Sequence, residues 1–381
     1  MKVLCINGSR SDWGYFKPVL KEISYRDSCD YFLIHTNMAP LDKYGNLSKQ
    51  CQEEGFPPDY TIYSSYEGDT YSSQSKMVGS MISSISDIIL NNDFDWILLA
   101  GDRAEQLAGA VAGMLMHIPI AHIQAGERSG NIDGITRHVI GKIVSLHFAS
   151  NEDAKDRLIR LGENPERIVL TGAPQLDEIF KIKEDTNTSK KILQKYNLQS
   201  KKFIIFIFHT DTENILLNRD HLENTLEVLS KLPNPIVFIM NNNDPGSYGV
   251  QTIIDSNLRD KDKIFNNLDR LEFLHLLNEC KTIIGNSSSG VIEAPVLKIP
   301  AINIGKRQLN RVKAQNIIEA DGSLQSIKKA LKTLDSNDFQ RALSKCISPY
   351  GNEPASKKIV DALSRYLTYS TKKLINRDIF E

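Results

Sequence analysis

The chain has 381 residues, 46 Lys and Arg against 47 Asp and Glu for a formal net charge of −1, and 41% hydrophobic residues. That length exceeds the roughly 250–300 residues at which a single core stops growing, so two domains are expected. Near-neutral charge argues against a dedicated nucleic-acid binder, which carries a basic excess. No apolar run approaches the ~18 residues of a membrane-spanning helix.

The opening Met1–Gly8 stretch is too short for a signal-peptide core, so a soluble, cytoplasmic protein without a membrane partner is expected. Cys5, Cys29, Cys51, Cys280 and Cys346 are scattered with no CxxC pair. Neither a disulfide framework nor a zinc site is suggested. In chain order, Val3–Ile6 reads as a buried strand, followed by a turn at Gly8-Ser9 and an amphipathic helix from about Tyr15 to Ile23. Tyr31–His35, Trp96–Leu99, Pro119–Ile123 and Leu146–Ala149 are further short apolar runs between helical stretches. Such runs without alternation are strands buried on both faces, as in a parallel sheet.

The pattern then restarts. Phe203–Phe208, Ile236–Met240, Thr282–Ile284 and Pro300–Ile304 are strand candidates, separated by helices near Leu222–Leu232, Leu271–Glu279 and Gly290–Val296. Two successive β-α series predict an α/β protein of two doubly wound, Rossmann-type domains. The expected division is 1–174 and 175–353, after Gly172-Ala173-Pro174, with the charged Lys181–Lys195 stretch as surface. The helical tail, 354–381, is expected to pack back on the first domain.

Several motifs carry chemistry. Gly8-Ser9-Arg10 follows the first strand and brings backbone N–H groups, a hydroxyl and a guanidinium to the carboxyl edge of the sheet, where such folds bind ligands. It lacks the glycines of the dinucleotide fingerprint. Gly285-Asn286-Ser287-Ser288-Ser289-Gly290 follows a later strand and opens a helix expected to begin near Val291, with Glu293 in its first turn. Small residues, hydroxyls and free amides there suit an anion, although a serine N-cap is the plain alternative. Arg307, beyond the next strand, emerges at the same edge and suits a diphosphate.

The densest polar cluster runs from Asp102 to His138. Asp102, Glu127 and Asp133 are expected to converge at one edge, with Arg137 and His138 one helical turn further on. Neighbouring carboxylates beside cations have separated pKa values, as proton transfer requires. The plain alternative is Asp133 as a helix N-cap with Arg137 as its i+4 partner. His117 and His147 sit among apolar residues and read as structural. His209 ends the Phe203–Phe208 strand and is placed to donate to phosphate or to move a proton. Asn241–Gly246 reads as a turn.

These motifs resemble the UDP-N-acetylglucosamine 2-epimerase family, and in particular its hydrolysing branch, which serves sialic and legionaminic acid synthesis. The resemblance rests on Gly8-Ser9-Arg10, Gly101-Asp102-Arg103, the His122–His138 block HIQAGERSGNIDGITRH, Thr171–Pro174, His209, GNSSSGVIEAP and the later Gly-Lys-Arg-Gln. It implies a GT-B-like fold with the active site in the interdomain cleft, a nucleotide-sugar substrate, no metal, no cofactor, and a homodimer or homotetramer. The apolar stretches Met77–Ile89 and Ala108–Met116 are candidate interfaces. The implied reaction is anti elimination of the nucleoside diphosphate to a 2-acetamidoglycal, then hydration to the free 2-epimer. Asp102, Glu127 and Asp133 are then the acid/base set, and His209 serves the leaving group. Arg10, Ser287, Ser288, Ser289 and Arg307 bind the nucleotide diphosphate, Glu293 binds the ribose, Arg137 orients Asp133 or Glu127, and Gln124, Asn286 and Gly290 complete the substrate-binding set.

The non-hydrolysing branch typically carries a leucine where this chain has Glu127, which favours hydrolysis. Two departures bear on the substrate. Gln124 stands where many relatives carry glutamate, and an amide hydrogen-bonds without exchanging a proton. Gly134 stands where some carry a second acid. Both an N-acetylglucosamine and a 2,4-diacetamido-2,4,6-trideoxy sugar fit, on uracil, or on guanine in a legionaminic variant. The rivals are a non-hydrolysing epimerase, a glycosyltransferase of the same fold, and a non-catalytic nucleotide-sugar sensor.

Overall fold

The computed structural model describes residues 1–66, 70–128, 132–183, 185–210, 215–240, 247–266 and 268–367. The expected turn at Asn241–Gly246 and the tail beyond Leu367 lie outside the described residues. Two compact units emerge: Met1–Arg128, Asp133–Asp177 and the chain from Tyr350 onward form the first, and Glu178–Pro349 the body of the second.

The first unit is built on a seven-stranded sheet of β1 (Lys2–Asn7), β2 (Asp30–His35), β3 (Tyr60–Thr61), β4 (Trp96–Ala100), β5 (Ile120–Ile123), β6 (Leu146–Ala149) and β7 (Ile168–Leu170), in the order 3-2-1-4-5-6-7. Its pairings are all parallel. Alternate residues of β1 serve opposite faces. Val3 and Cys5 join Trp13, Phe16 and Leu20 of the Arg10–Ser24 helix and Ile359 and Leu363 of the Ala355–Tyr366 helix. Leu4 and Ile6 join Met77, Met81 and Ile85 of the Tyr71–Leu90 helix and Ala108 and Ala112 of the Ala104–Leu115 helix. Burial on both faces is what the unbroken apolar strands required. The two stretches expected as subunit interfaces are therefore largely core. Their apolar residues recur at helical spacing and cover the sheet, leaving Met114 and Leu115 exposed.

The second unit repeats the design with β8 (Ile204–Ile207), β9 (Ile236–Ile239), β10 (Lys263–Phe265), β11 (Thr282–Gly285), β12 (Ala301–Ile304) and β13 (Ile317–Ala320), in the order 10-9-8-11-12-13 and parallel throughout. Phe206, Phe208 and Phe238 pack with Leu222, Leu226 and Ile327. Gly285 is required where β11 meets β8. Its φ is 134°, and a Cβ there would stand 1.8 Å from the Ile207 carbonyl oxygen.

Four strands, β3, β7, β10 and β13, were not expected from the sequence. They are short edge strands with partly exposed residues, so none carries the continuous apolar run of a central strand. The first helix starts at Arg10 rather than Tyr15, because Ser9 caps it by accepting from the Asp12 N–H. Its opening Ser, Asp and Gly residues hide the helical period. The boundary falls between Asp177 and Glu178. Asp177 accepts from the N–H groups of Ala355 (2.7 Å) and Ser356 (2.9 Å), and so caps the returning C-terminal helix. Glu178 instead takes Arg270 of the second unit at 3.1 Å.

Candidate active site

In the first sheet the chain winds away from β1 towards β2 and later restarts at β4 on its other side, so the loops after β1 and β4 flank the point where strand order reverses. Asp102 follows β4 directly. Its partner is Arg137, buried in the Ile132–Ile143 helix, which donates to Asp102 from Nη2 and to the Gln124 carbonyl from Nη1 at 3.4 Å. Burial pulls the Arg137 guanidinium down, but Asp102 and then Glu127 more than offset it and leave its pKa raised. Among the described residues Arg137 forms its ion pair with Asp102, and Glu127 acts on it through its charge. The helix begins at Ile132, so Asp133 lies inside its first turn rather than at the N-cap. The side chain of Asp133 lies outside the described residues.

Glu127 is 2% exposed and accepts from the Ser150 hydroxyl and from Asn151 Nδ2 (2.5 Å), both at the end of β6. Asn151 also caps the Glu152–Arg160 helix, so its amide is fixed from both sides. His122 joins the β5 and β4 edges through Nε2 and the Gly101 carbonyl at 2.6 Å, and burial depresses its pKa to about 3, which keeps it neutral. Gln124 is buried with φ 59°, and neither end of its amide has a hydrogen-bond partner among the described residues. A polar side chain held so, in a left-handed backbone, is a strained feature of the kind that clusters at functional sites. His138 is half-buried, its pKa lowered by burial and then by Arg137, Arg157 and Arg128.

Arg10 is the first residue of its helix, and burial lowers its pKa to about 10. Behind it lie groups the sequence reading missed. Asp12, one turn into the helix, accepts from the Gly8 N–H at 3.1 Å. Glu105, fully buried, accepts from Arg103 Nε at 3.2 Å and Asn37 Nδ2 at 3.0 Å. The signal available was an acid three residues after the Ser9 cap. Of the two histidines read as structural, one fits and one does not. His147 is buried against Glu163 at 3.2 Å, whereas His117 is exposed at the end of its helix with φ 58°.

In the second unit β8 and β11 flank the equivalent reversal. Asn286 ties them together: its Oδ1 accepts from the His209 N–H at 2.7 Å and its Nδ2 donates to the His209 carbonyl at 2.8 Å. Arg307 Nη1 (3.2 Å) and Gln308 Nε2 (2.9 Å) both donate to the Asn286 carbonyl. His209, the GNSSSG loop and Arg307 are therefore one cluster. Ser287, Ser288 and Ser289 are half-buried beside it. The helix they open is only Ser289–Ile292, and Ser288 precedes it with no side-chain cap. Gly290 is buried within it, and Glu293 terminates it instead of lying in its first turn. Four residues carry little aligned dipole, so hydroxyls, amides and the Arg307 cation remain as the anion donors. Glu293 is buried and paired with Arg270 at 2.7 Å.

The described residues include no helix long and apolar enough to cross a membrane, and no cluster of three or more potential metal ligands from His, Cys, Asp and Glu. The chain matches the model of a family described as UDP-N-acetylglucosamine 2-epimerase over residues 21–364. It is 31% identical over 333 residues to a UDP-N,N'-diacetylbacillosamine 2-epimerase (hydrolyzing) of Legionella pneumophila, covering 87% of this chain and 88% of that protein. It is 31% identical over 331 residues to a UDP-N-acetylglucosamine 2-epimerase of Neisseria meningitidis, covering 87% and 86%. Its fold is that of a crystal structure of UDP-GlcNAc 2-epimerase from Neisseria meningitidis bound to UDP-GlcNAc, with TM-score 0.82 at 22% identity, over 96% of this chain and 100% of that one.

Proposed function

The chain belongs to the UDP-N-acetylglucosamine 2-epimerase family, and we propose that it is a hydrolysing member, releasing a free 2-epimerised acetamido sugar and a nucleoside diphosphate. The observation that carries this reading is Glu127: a buried carboxylate fixed by Ser150 and Asn151, at the position where the non-hydrolysing pattern has a leucine. The similarity to a Legionella protein named as hydrolyzing supports it.

The C2 proton of an acetamido sugar is weakly acidic, so loss of the C1 diphosphate must lead. As the C1–O bond breaks, positive charge builds on the ring, and a carboxylate beside it stabilises that charge. Asp102 suits this task, held against the buried Arg137 guanidinium. Removal of the C2 proton by one of the carboxylates Asp102, Glu127 and Asp133 leaves the glycal. Water then adds its hydroxyl to C1 while C2 regains a proton from the opposite face, and Glu127 suits the positioning of that water. His209 protonates or binds the departing diphosphate, which Arg10, Ser287, Ser288, Ser289 and Arg307 receive, with Glu293 towards the ribose. The reading requires both sheet edges to act on one nucleotide sugar. The substrate is either an N-acetylglucosamine or a 2,4-diacetamido-2,4,6-trideoxyglucose, on UDP or GDP.

Proton NMR in D2O over a panel of UDP- and GDP-linked sugars of both kinds tests this. The expected outcome is a free reducing sugar carrying deuterium at C2, with stoichiometric nucleotide. An accumulating nucleotide-linked 2-epimer would instead assign the non-hydrolysing reaction. Nucleotide binding without turnover or exchange would assign a sensor.

A further inference from the structure

We propose that Asp12 and Glu105 are positioning residues that share one proton, Asp12 being the neutral acid, and that this pair fixes the Arg10 loop against the Asp102 loop. Asp12 and Glu105 border the same residue: Asp12 Oδ2 accepts from the Gly8 N–H at 3.1 Å, and a Cβ placed on Gly8 would lie 2.3 Å from Glu105 Oε1. Two carboxyl groups that meet in a buried site cannot both ionise without a large repulsive cost, which a single shared proton removes. Asp12 is 1% exposed and Glu105 0%, so solvent does not screen their repulsion.

The donors around the pair decide where the charge sits. Glu105 accepts from the Arg103 guanidinium on Oε1 and the Asn37 amide on Oε2, so the one cation bonded to the pair lies on its side. Asp12 has the Gly8 N–H on Oδ2. Burial first, and Glu105 second, push the Asp12 pKa well above the ordinary carboxylate range, against weaker opposition from Arg103 and the Gly8 amide. The charged groups that bear on Asp12 are thus Glu105 and Arg103, both from the segment after β4.

The pair joins three loops of the sheet edge. From β1 comes Gly8, whose Cβ, if present, would lie 2.3 Å from Glu105 Oε1. From β2 comes Asn37, at φ 53°, whose carbonyl accepts from the Ser65 hydroxyl at 3.1 Å. From β4 come Arg103 and Glu105, adjacent to Asp102. Arg10 and Asp102 therefore stand on segments cross-linked by this pair, although neither belongs to it.

The sign of the pH dependence follows. An acid whose pKa is raised on folding stabilises the fold fully below the unfolded carboxylate pKa, and that stability is lost as pH rises through the folded value. Asp12→Asn keeps a neutral donor and acceptor and removes the titration. Melting temperatures of wild type and Asp12→Asn between about pH 5 and pH 9 test the pair. The expected result is a fall with pH in wild type that is smaller in Asp12→Asn by a few degrees. With nucleotide sugar, Asp12→Asn should hold kcat within about threefold, while Asp12→Ala lowers it about tenfold or more by removing a buried partner. Asp12→Asn should also extend the alkaline limb of the kcat profile. An Asp12→Asn protein that melts with the wild-type pH slope, fails to fold, or loses as much kcat as Asp12→Ala overturns the proposal and leaves Asp12 an ionised helix cap. The kcat arm rests on the epimerase reading and the melting arm does not. Absence of wild-type turnover would therefore remove that reading while the melting curves still judge the pair.

Discussion

At the carboxyl edge of the first sheet, charges meet charges: Asp102 with Arg137, and Arg103 with Glu105. At the same edge of the second sheet, Asn286 clamps the His209 backbone, while Arg307 and Gln308 donate to the Asn286 carbonyl. The two edges follow the same winding order, so topology only decides where loops emerge. Buried ion pairs hold proton-active groups in defined charge states, which suits bond-making at a sugar. Neutral amides and hydroxyls around a single guanidinium suit a multiply charged anion that must arrive and leave intact.

The comparison breaks if either edge does the other's work. The largest expected effect is Asp102→Asn: kcat should fall about 10³-fold, roughly 4 kcal/mol, with UDP affinity by calorimetry unchanged. Lost UDP affinity in the folded variant would move Asp102 to the nucleotide side. Next is Gly285→Ala, which forces a methyl group into the Ile207 carbonyl. It should destabilise the second unit by about 3 kcal/mol or more, read as a lowered denaturant midpoint, and a midpoint unmoved would show that the strand pair relaxes. Arg307→Ala should weaken UDP binding by about 10- to 100-fold through loss of charge-assisted donors. Unchanged UDP affinity would remove Arg307 from the cradle.

The central strands were readable because they are buried on both faces, as Val3–Ile6 and Ile204–Ile207 are. The edge strands were not, since Lys263–Phe265 and Ile317–Ala320 present partly exposed faces that read as loop. At the site, the placing of Arg307 beside GNSSSG was expected from their common place after strands, and the structure adds His209, tied in through Asn286. The ion pair of Arg137 with Asp102 was not: sequence spacing points to Asp133, four residues earlier on the same helix, and gives no sign of Asp102, 35 positions away. Asp12 leaves one local signal, an acid three residues after Ser9, but nothing local ties it to Glu105 in the first turn of a helix 93 positions further on.

The smallest effect separates the two units at their seam. Asp177 and Glu178 are adjacent acids with opposite allegiances: the first caps the Ala355–Tyr366 helix in one unit, the second pairs with Arg270 in the other. Pro354, at the N-cap of that helix, offers no side-chain acceptor, so Asp177 alone is seen to satisfy the Ala355 and Ser356 amides. Asp177→Ala strands two buried N–H groups and should cost about 1–2 kcal/mol, while Asp177→Asn, which still presents an oxygen, should cost less. Glu178→Gln should matter least, because Arg270 keeps Glu293 at 2.7 Å. Urea unfolding followed by Trp fluorescence reports the first unit, since Trp13 and Trp96 both lie in its core and are the two tryptophans of the chain. Asp177→Ala should shift that transition and Glu178→Gln should not; equal shifts would mean that the seam belongs to both units and that their stabilities are coupled through it.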